Sequence, residues 1–252
     1  MNIKFGMPKT SLIQMPYVII QGILGVIYPP RCQICGESFN IFDRRILCEI
    51  CYNSIKFNTP PFCKRCGKSC SYEDRICESC RVKTCYFDAS YSVCIYEGVI
   101  RECIHNFKYN GRFSLERFFK NLLIEFAEKY IDMCRYNWLI PVPLHRIRHR
   151  ERTFNQSAIL ASYLSKRFNI PVLKNNLLRT RLGKPQVTLP KNKRLKDINN
   201  SFKIKRPLLI KDKSVLLIDD VFTTGATVNE CSKILKKAGA NLVEVLTLAR
   251  GM

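Results

Sequence analysis

Beyond residue 88 the chain alternates between short apolar runs and segments in which apolar side chains recur every three or four positions. Residues 89–96 alternate loosely and predict a strand. Ile100, Cys103, Ile104 and Phe107 share one face of a helix over 99–109, and a second helix is expected over 115–130. The run from Trp138 to Val142, ended by Pro143, predicts a buried strand. A helix over 155–168 carries Leu160, Tyr163, Leu164 and Phe168. Val215 to Ile218 is a continuous apolar run, which suits a strand covered on both faces in a parallel sheet. Val228, Cys231, Ile234, Leu235 and Ala238 then recur at helical spacing. Thr227, with Glu230 three residues on, predicts a capping box at the start of that helix, and Gly239 predicts its stop. Leu242 to Leu248 supplies a last strand. Strands alternating with helices predict an α/β domain built on a parallel sheet.

The first 85 residues lack this alternation. Residues 12–28 are apolar-rich and follow Lys4 and Lys9, which mimics a signal peptide or anchor. Gln14, Pro16 and Gln21 interrupt the run, it is short for a membrane span, and no small-residue cleavage site precedes Pro29-Pro30. A short amphipathic helix packed on the module that follows is the expectation, with docking at a membrane surface the minority reading. The expected organisation is an N-terminal apolar helix over 1–30, a cysteine-rich module over 31–85 and the α/β domain over 86–252. Residues 181–200 are polar and basic, with Lys184, Lys191, Lys193, Arg194 and Lys196, and predict a mobile excursion.

Fourteen cysteines are unusual for 252 residues, and eight of them form four C-x-x-C pairs: Cys32/Cys35, Cys48/Cys51, Cys63/Cys66 and Cys77/Cys80. Each pair has the knuckle spacing of a zinc site, and two pairs complete one tetrahedral thiolate set. Sequential pairing gives two small zinc ribbons separated by Pro60-Pro61, although spacing leaves an interleaved pairing open. Disulfides would require export, and a redox C-x-x-C has no reason to occur four times. Two structural Zn²⁺ sites are therefore expected. Of the remaining six cysteines, Cys231 falls on the apolar face of its helix and is expected in the core.

Paired carboxylates, Asp219 and Asp220, end the run 215–218, and Thr223, Thr224, Gly225, Ala226 and Thr227 lead into the next helix. A helix N-terminus offers unpaired amides and the positive end of a dipole, which suits a phosphate. The threonine hydroxyls add donors, and Gly225 lets backbone approach closely. A phosphate monoester held there would bring its sugar near the two acids, which can accept from vicinal hydroxyls or meet them through hydrated Mg²⁺.

The segment V-L-L-I-D-D-V-F-T-T-G-A-T resembles the 5-phosphoribosyl 1-pyrophosphate (PRPP) motif of type I phosphoribosyltransferases. The resemblance implies that Asp219 and Asp220 hold the ribose hydroxyls and that Thr223 to Thr227 wrap the 5′-phosphate. Upstream, Tyr96-Glu97-Gly98, Phe107-Lys108-Tyr109, Pro141-Val142-Pro143-Leu144, Phe154-Asn155-Gln156 and Lys184-Pro185-Gln186 occur in order. Together with the cysteines they resemble the ComF/GntX group of competence-associated proteins, in which Thr153 is usually glycine. The resemblance implies a type I phosphoribosyltransferase domain preceded by a double zinc ribbon. It also implies Mg²⁺ bound with PRPP, a pyrophosphate loop after Val142 and a flap at 181–200 that closes over the ligand. Arg148 and Arg152 are the candidates for the pyrophosphate, because arginine grips phosphate oxygens in bidentate fashion. No catalytic residue is nominated, since His105, His145 and His149 lack a spaced carboxylate partner.

The formal net charge of +22 predicts anionic partners beyond one phosphate pocket, although part of it can be lysine-rich composition. The resemblance implies work on incoming single-stranded DNA in natural competence, with a helicase or recombination protein as partner. Aromatics among the ribbon cations (Tyr52, Phe57, Phe62, Tyr72) suit base stacking or, equally, a small core. Three readings stay open: a phosphoribosyltransferase with an unknown acceptor, a PRPP-sensing module without turnover, and a nucleic-acid-binding protein with a vestigial pocket. Reduced thiols and a phosphosugar ligand point to the cytoplasm.

Overall fold

The computed structural model describes residues 30–39, 45–71, 76–109, 114–144, 154–180 and 201–251. The expected N-terminal helix, the excursion at 181–200 and most of the loop after Leu144 lie outside the described residues. Two compact units divide the chain, Met1–Asn53 and Ser54–Met252.

The first unit holds one ribbon, with helix α1 (Glu49–Asn53) running through its last cysteine. Arg31 and Ser38 form an antiparallel bridge around the first knuckle.

The second unit holds the other ribbon together with the α/β domain. Its elements are α2 (Glu78–Arg81), β1 (Ala89–Ile95), α3 (Gly98–Tyr109), α4 (Ser114–Tyr130), β2 (Trp138–Pro141) and α5 (Gln156–Phe168). β3 (Leu177–Arg179), β4 (Phe202–Ile204), β5 (Ser214–Phe222), α6 (Ala226–Lys237) and β6 (Leu242–Arg250) complete it. β1, β6, β5 and β2 form, in that order, a four-stranded sheet in which every pairing is parallel. The two central strands read as expected for strands covered on both faces. Val215 to Ile218 of β5 are fully buried, as are Val243 and Val245 to Ala249 of β6, the polar Thr247 included.

The helices present the predicted stripes. Ile100, Cys103, Ile104 and Phe107 of α3 are buried, and α4 adds Leu115, Phe119, Leu123 and Ala127. Asn155 caps α5, its side chain accepting from the Ser157 N–H at 3.0 Å. At the far end of α6 the amides of Gly239 and Ala240 bond back to Lys236 and Leu235, closing the helix in a Schellman turn.

Two expectations need correction, and one strand pair is not predicted by the sequence. The capping box at Thr227 and Glu230 does not form: Gly225 is the N-cap, no side chain caps the helix, and Glu230 is buried 3.7 Å from Lys233. The chain leaves β5 through a left-handed Gly225 and is already helical at Ala226, so Thr227 is the second helical residue. β5 continues past the apolar run to Phe222, which places both acids inside the strand, and β6 runs on to Arg250. The antiparallel pair β3–β4 has three residues per strand, too few to carry a periodicity.

Candidate functional site

The carboxyl ends of β2 and β5 lie side by side, with Pro141 paired to Ile218 and the Val142 amide donating to the Ile218 carbonyl at 2.9 Å. Open α/β sheets bind ligands at this edge. Asp219 and Asp220 follow Ile218 directly. Asp219 Oδ1 accepts from the Ser157 hydroxyl at 3.0 Å and from the Asp220 N–H at 2.9 Å. Asp220 Oδ2 is paired with Lys108 Nζ at 2.7 Å. Lys108 lies in the last turn of α3, so this cation arrives from a different helix than the one that follows the acids.

Burial pushes the Asp219 carboxyl up to about 7 from an ordinary 3.8; the neighbouring Asp220 adds to the rise, and Lys108, the Asp220 amide and Ser157 oppose it.

Beyond the acids, Thr223 is exposed, Thr224, Ala226 and Thr227 are partly buried and Gly225 is buried. Gly225 has φ of 76°, and a Cβ there would stand 2.5 Å from Cζ of the Phe222 ring. Both facts require glycine. The Ala226 N–H lies 3.4 Å from Thr224 Oγ1, and the first-turn amides of α6 have no acceptor within their own helix. Acids, small loop and helix N-terminus therefore form one continuous edge.

Gln156 opens α5 beside Ser157. It is buried, and neither its amide nitrogen nor its oxygen has a hydrogen-bond partner among the described residues. Arg148, Arg152 and Thr153, and with them the expected pyrophosphate loop, lie outside the described residues, as do Lys184 and the expected flap. His145 and His149 lie outside as well, while the His105 ring packs on Tyr109 with centroids 4.9 Å apart.

The eight paired cysteines gather sequentially. Cys32, Cys35, Cys48 and Cys51 form one cluster, Cys63, Cys66, Cys77 and Cys80 the other, and within each the sulfurs lie within 4.8 Å of one another. Cys35 and Cys48 sulfurs are 3.6 Å apart, as are those of Cys66 and Cys77. A zinc ion with Zn–S near 2.3 Å sets a tetrahedral edge of about 3.8 Å, so the donor sets fit structural zinc. Backbone amides support the thiolates: Cys51 N–H points to Cys48 Sγ at 3.4 Å and Cys77 N–H to Cys63 Sγ at 3.3 Å. Cys231 is buried, as its helical face predicts.

Comparison with known proteins finds two domains in the chain. Residues 23–81 match the double zinc ribbon domain, and residues 155–252 match the phosphoribosyl transferase domain. Competence protein F of Haemophilus influenzae is 30% identical over 227 residues, spanning 87% of this chain and 96% of that protein. The chain belongs to the ComF family. DNA utilization protein YhgH of Escherichia coli is 27% identical over 225 residues, covering 88% of this chain and 97% of its own length. Competence protein ComFC of Bacillus subtilis is 29% identical over 245 residues, with 90% and 97% covered.

In this ComF chain several residues near the site escaped sequence reasoning. Lys108 and Gln156 lie in the Phe107-Lys108-Tyr109 and Phe154-Asn155-Gln156 motifs, but nothing in the sequence gives either a role, and Ser157 carries no signal. Asn58 and Arg250 escaped as well. The buried Asn58 donates to the carbonyls of Gly67 and Ser92 at 2.8 and 3.0 Å and ties the second ribbon to β1. Their partners are distant in sequence, and no spacing rule reaches that far.

Proposed function

We propose that this chain binds PRPP at the β5–α6 edge and serves in DNA uptake during natural competence. The observation that carries the reading is the continuity of Asp219 and Asp220 with the open N-terminus of α6 across the close-approach glycine Gly225. In this reading Asp219 and Asp220 accept from the ribose hydroxyls, and residues Thr223 to Thr227 take the 5′-phosphate on amides and hydroxyls. Arg148 and Arg152 meet the pyrophosphate, where Mg²⁺ bound with PRPP offsets the remaining charge. The chain then works in the cytoplasm on single-stranded DNA, alongside a helicase or recombination protein. The family membership and the net charge of +22 support that setting.

Calorimetry with PRPP and Mg²⁺ tests the pocket. The wild-type chain binds, and Asp219→Asn with Asp220→Asn abolishes binding while leaving the fold intact by circular dichroism. Unchanged affinity in that double variant would remove the acids from the site. Pyrophosphate release in the presence of nitrogen nucleophiles separates turnover from sensing.

A further inference from the structure

A site that gathers two carboxylates next to a phosphate cup faces an electrostatic problem. A phosphate monoester carries close to two negative charges at neutral pH, and like charges at this range repel. A divalent cation between acids and ligand is one solution, and it needs free carboxylate oxygens around an octahedral ion at short distance. The acid pair already carries a cation of its own and is half committed. Asp220 Oδ2 is held by Lys108 Nζ at 2.7 Å, and Asp219 Oδ1 already accepts from Ser157 and from the Asp220 amide. The Lys108 and Asp220 side chains are only 15% and 13% exposed, so this ion pair is largely shielded from water. Asp219 Oδ2 and Asp220 Oδ1 have no partner among the described residues, which leaves one acceptor on each acid for a pair of vicinal hydroxyls.

We propose that Lys108 is the built-in counter-cation of the acid pair, so that the ribose 5-phosphate end of the ligand binds without a divalent metal. The ammonium cancels the charge of Asp220, and one of its three donors is committed to that carboxylate. Metal is then needed only by a ligand that brings its own pyrophosphate. This inference rests on the phosphoribosyl reading of the site and assigns Lys108 a role as positioning residue within it.

The test uses ribose 5-phosphate, which lacks the pyrophosphate, titrated by calorimetry into the full zinc-loaded chain. One buffer is freed of divalent ions on a resin that leaves protein-bound zinc in place; the other contains Mg²⁺. Wild type is expected to bind equally in both. Lys108→Met is expected to lose about tenfold or more in the metal-free buffer, the scale of one charge-assisted contact, and to recover when Mg²⁺ is added. Lys108→Arg keeps the charge and is expected to retain metal-free binding. Wild-type binding that appears only with Mg²⁺ overturns the role of Lys108 and leaves the phosphoribosyl site standing; that arm needs no variant. Metal-free binding by Lys108→Met at wild-type affinity also overturns it. Absence of wild-type binding in both buffers sinks the phosphoribosyl reading itself.

Discussion

Arg250, the last residue of β6, donates a hydrogen bond to the carbonyl oxygen of Cys66, a cysteine of the second ribbon, and its guanidinium lies 5.4 Å from the centre of the Phe222 ring. One buried side chain thus touches a metal knuckle and the end of the strand that carries the acids. The Ser90 hydroxyl donates to the same carbonyl at 3.2 Å. Cys63, Cys66 and Cys80 pack in the same core as Val215, Leu217 and Val245, so the second ribbon is a wall of the α/β domain.

Arg250→Met keeps much of the stem and removes the charged donor. The expected loss is about 2 kcal/mol, typical of a buried hydrogen bond from a charged group. Urea denaturation followed by circular dichroism measures it, and an unchanged midpoint would show that the Cys66 carbonyl does not need this donor.

Metal loss at the two ribbons should differ in reach. Cys63→Ser with Cys66→Ser removes half of the donor set that shares the sheet's core, and is expected to lower and broaden the main thermal transition. Cys32→Ser with Cys35→Ser changes the ribbon in the other compact unit and is expected to leave that transition within a few degrees. Zinc content is counted in each variant by chelator-linked absorbance. Equal damage from both pairs would refute the distinction.

The equivalent knuckle glycines offer a finer comparison. Gly36 and Gly67 follow the second cysteine of the first and third pairs and have φ of 78° and 67°. A Cβ on Gly36 meets nothing within 4 Å, whereas on Gly67 it collides with the backbone carbonyl of Ser90 in β1. Gly36→Ala is expected to cost about 1 kcal/mol of backbone strain. Gly67→Ala adds the displacement of ribbon from strand and is expected to cost at least twice as much. Melting of the two single variants decides it.

Asp219 makes stability depend on pH. Its folded-state carboxyl is raised to about 7, so the fold favours the protonated form. That contribution is fully present below the unfolded value of about 4 and is lost as pH rises through about 7. Asp219→Asn, neutral at every pH, should therefore gain on the wild type across this window by an amount on the order of a few kcal/mol. Paired urea titrations at about pH 4 and about pH 8 measure the difference. A constant gap between the two proteins would contradict the raised carboxyl.

Much of this was readable from local pattern. The stripe on α3, the apolar run of β5 and the strand–helix alternation define a parallel α/β sheet because burial on one face or two leaves a period in the sequence. The C-x-x-C pairs announced two metal clusters because a knuckle needs its ligands at short, constant spacing. The start of α6 is not legible for a related reason: a capping-box pattern is local, but the backbone turn at Gly225, packed against Phe222, decides where the helix begins.

What the linear chain determined by itself is therefore the set of parts: the α/β class, the two thiolate clusters and the acids beside a small loop. Only the tertiary structure decided which ribbon joins the sheet, which cation sits on Asp220 and which hydroxyl holds Asp219. Ser157 and Asp219 stand 62 residues apart, and Cys66 and Arg250 stand 184 apart. Contacts at such separations depend on how packed layers align, and a periodicity records only which face is buried, never what lies against it.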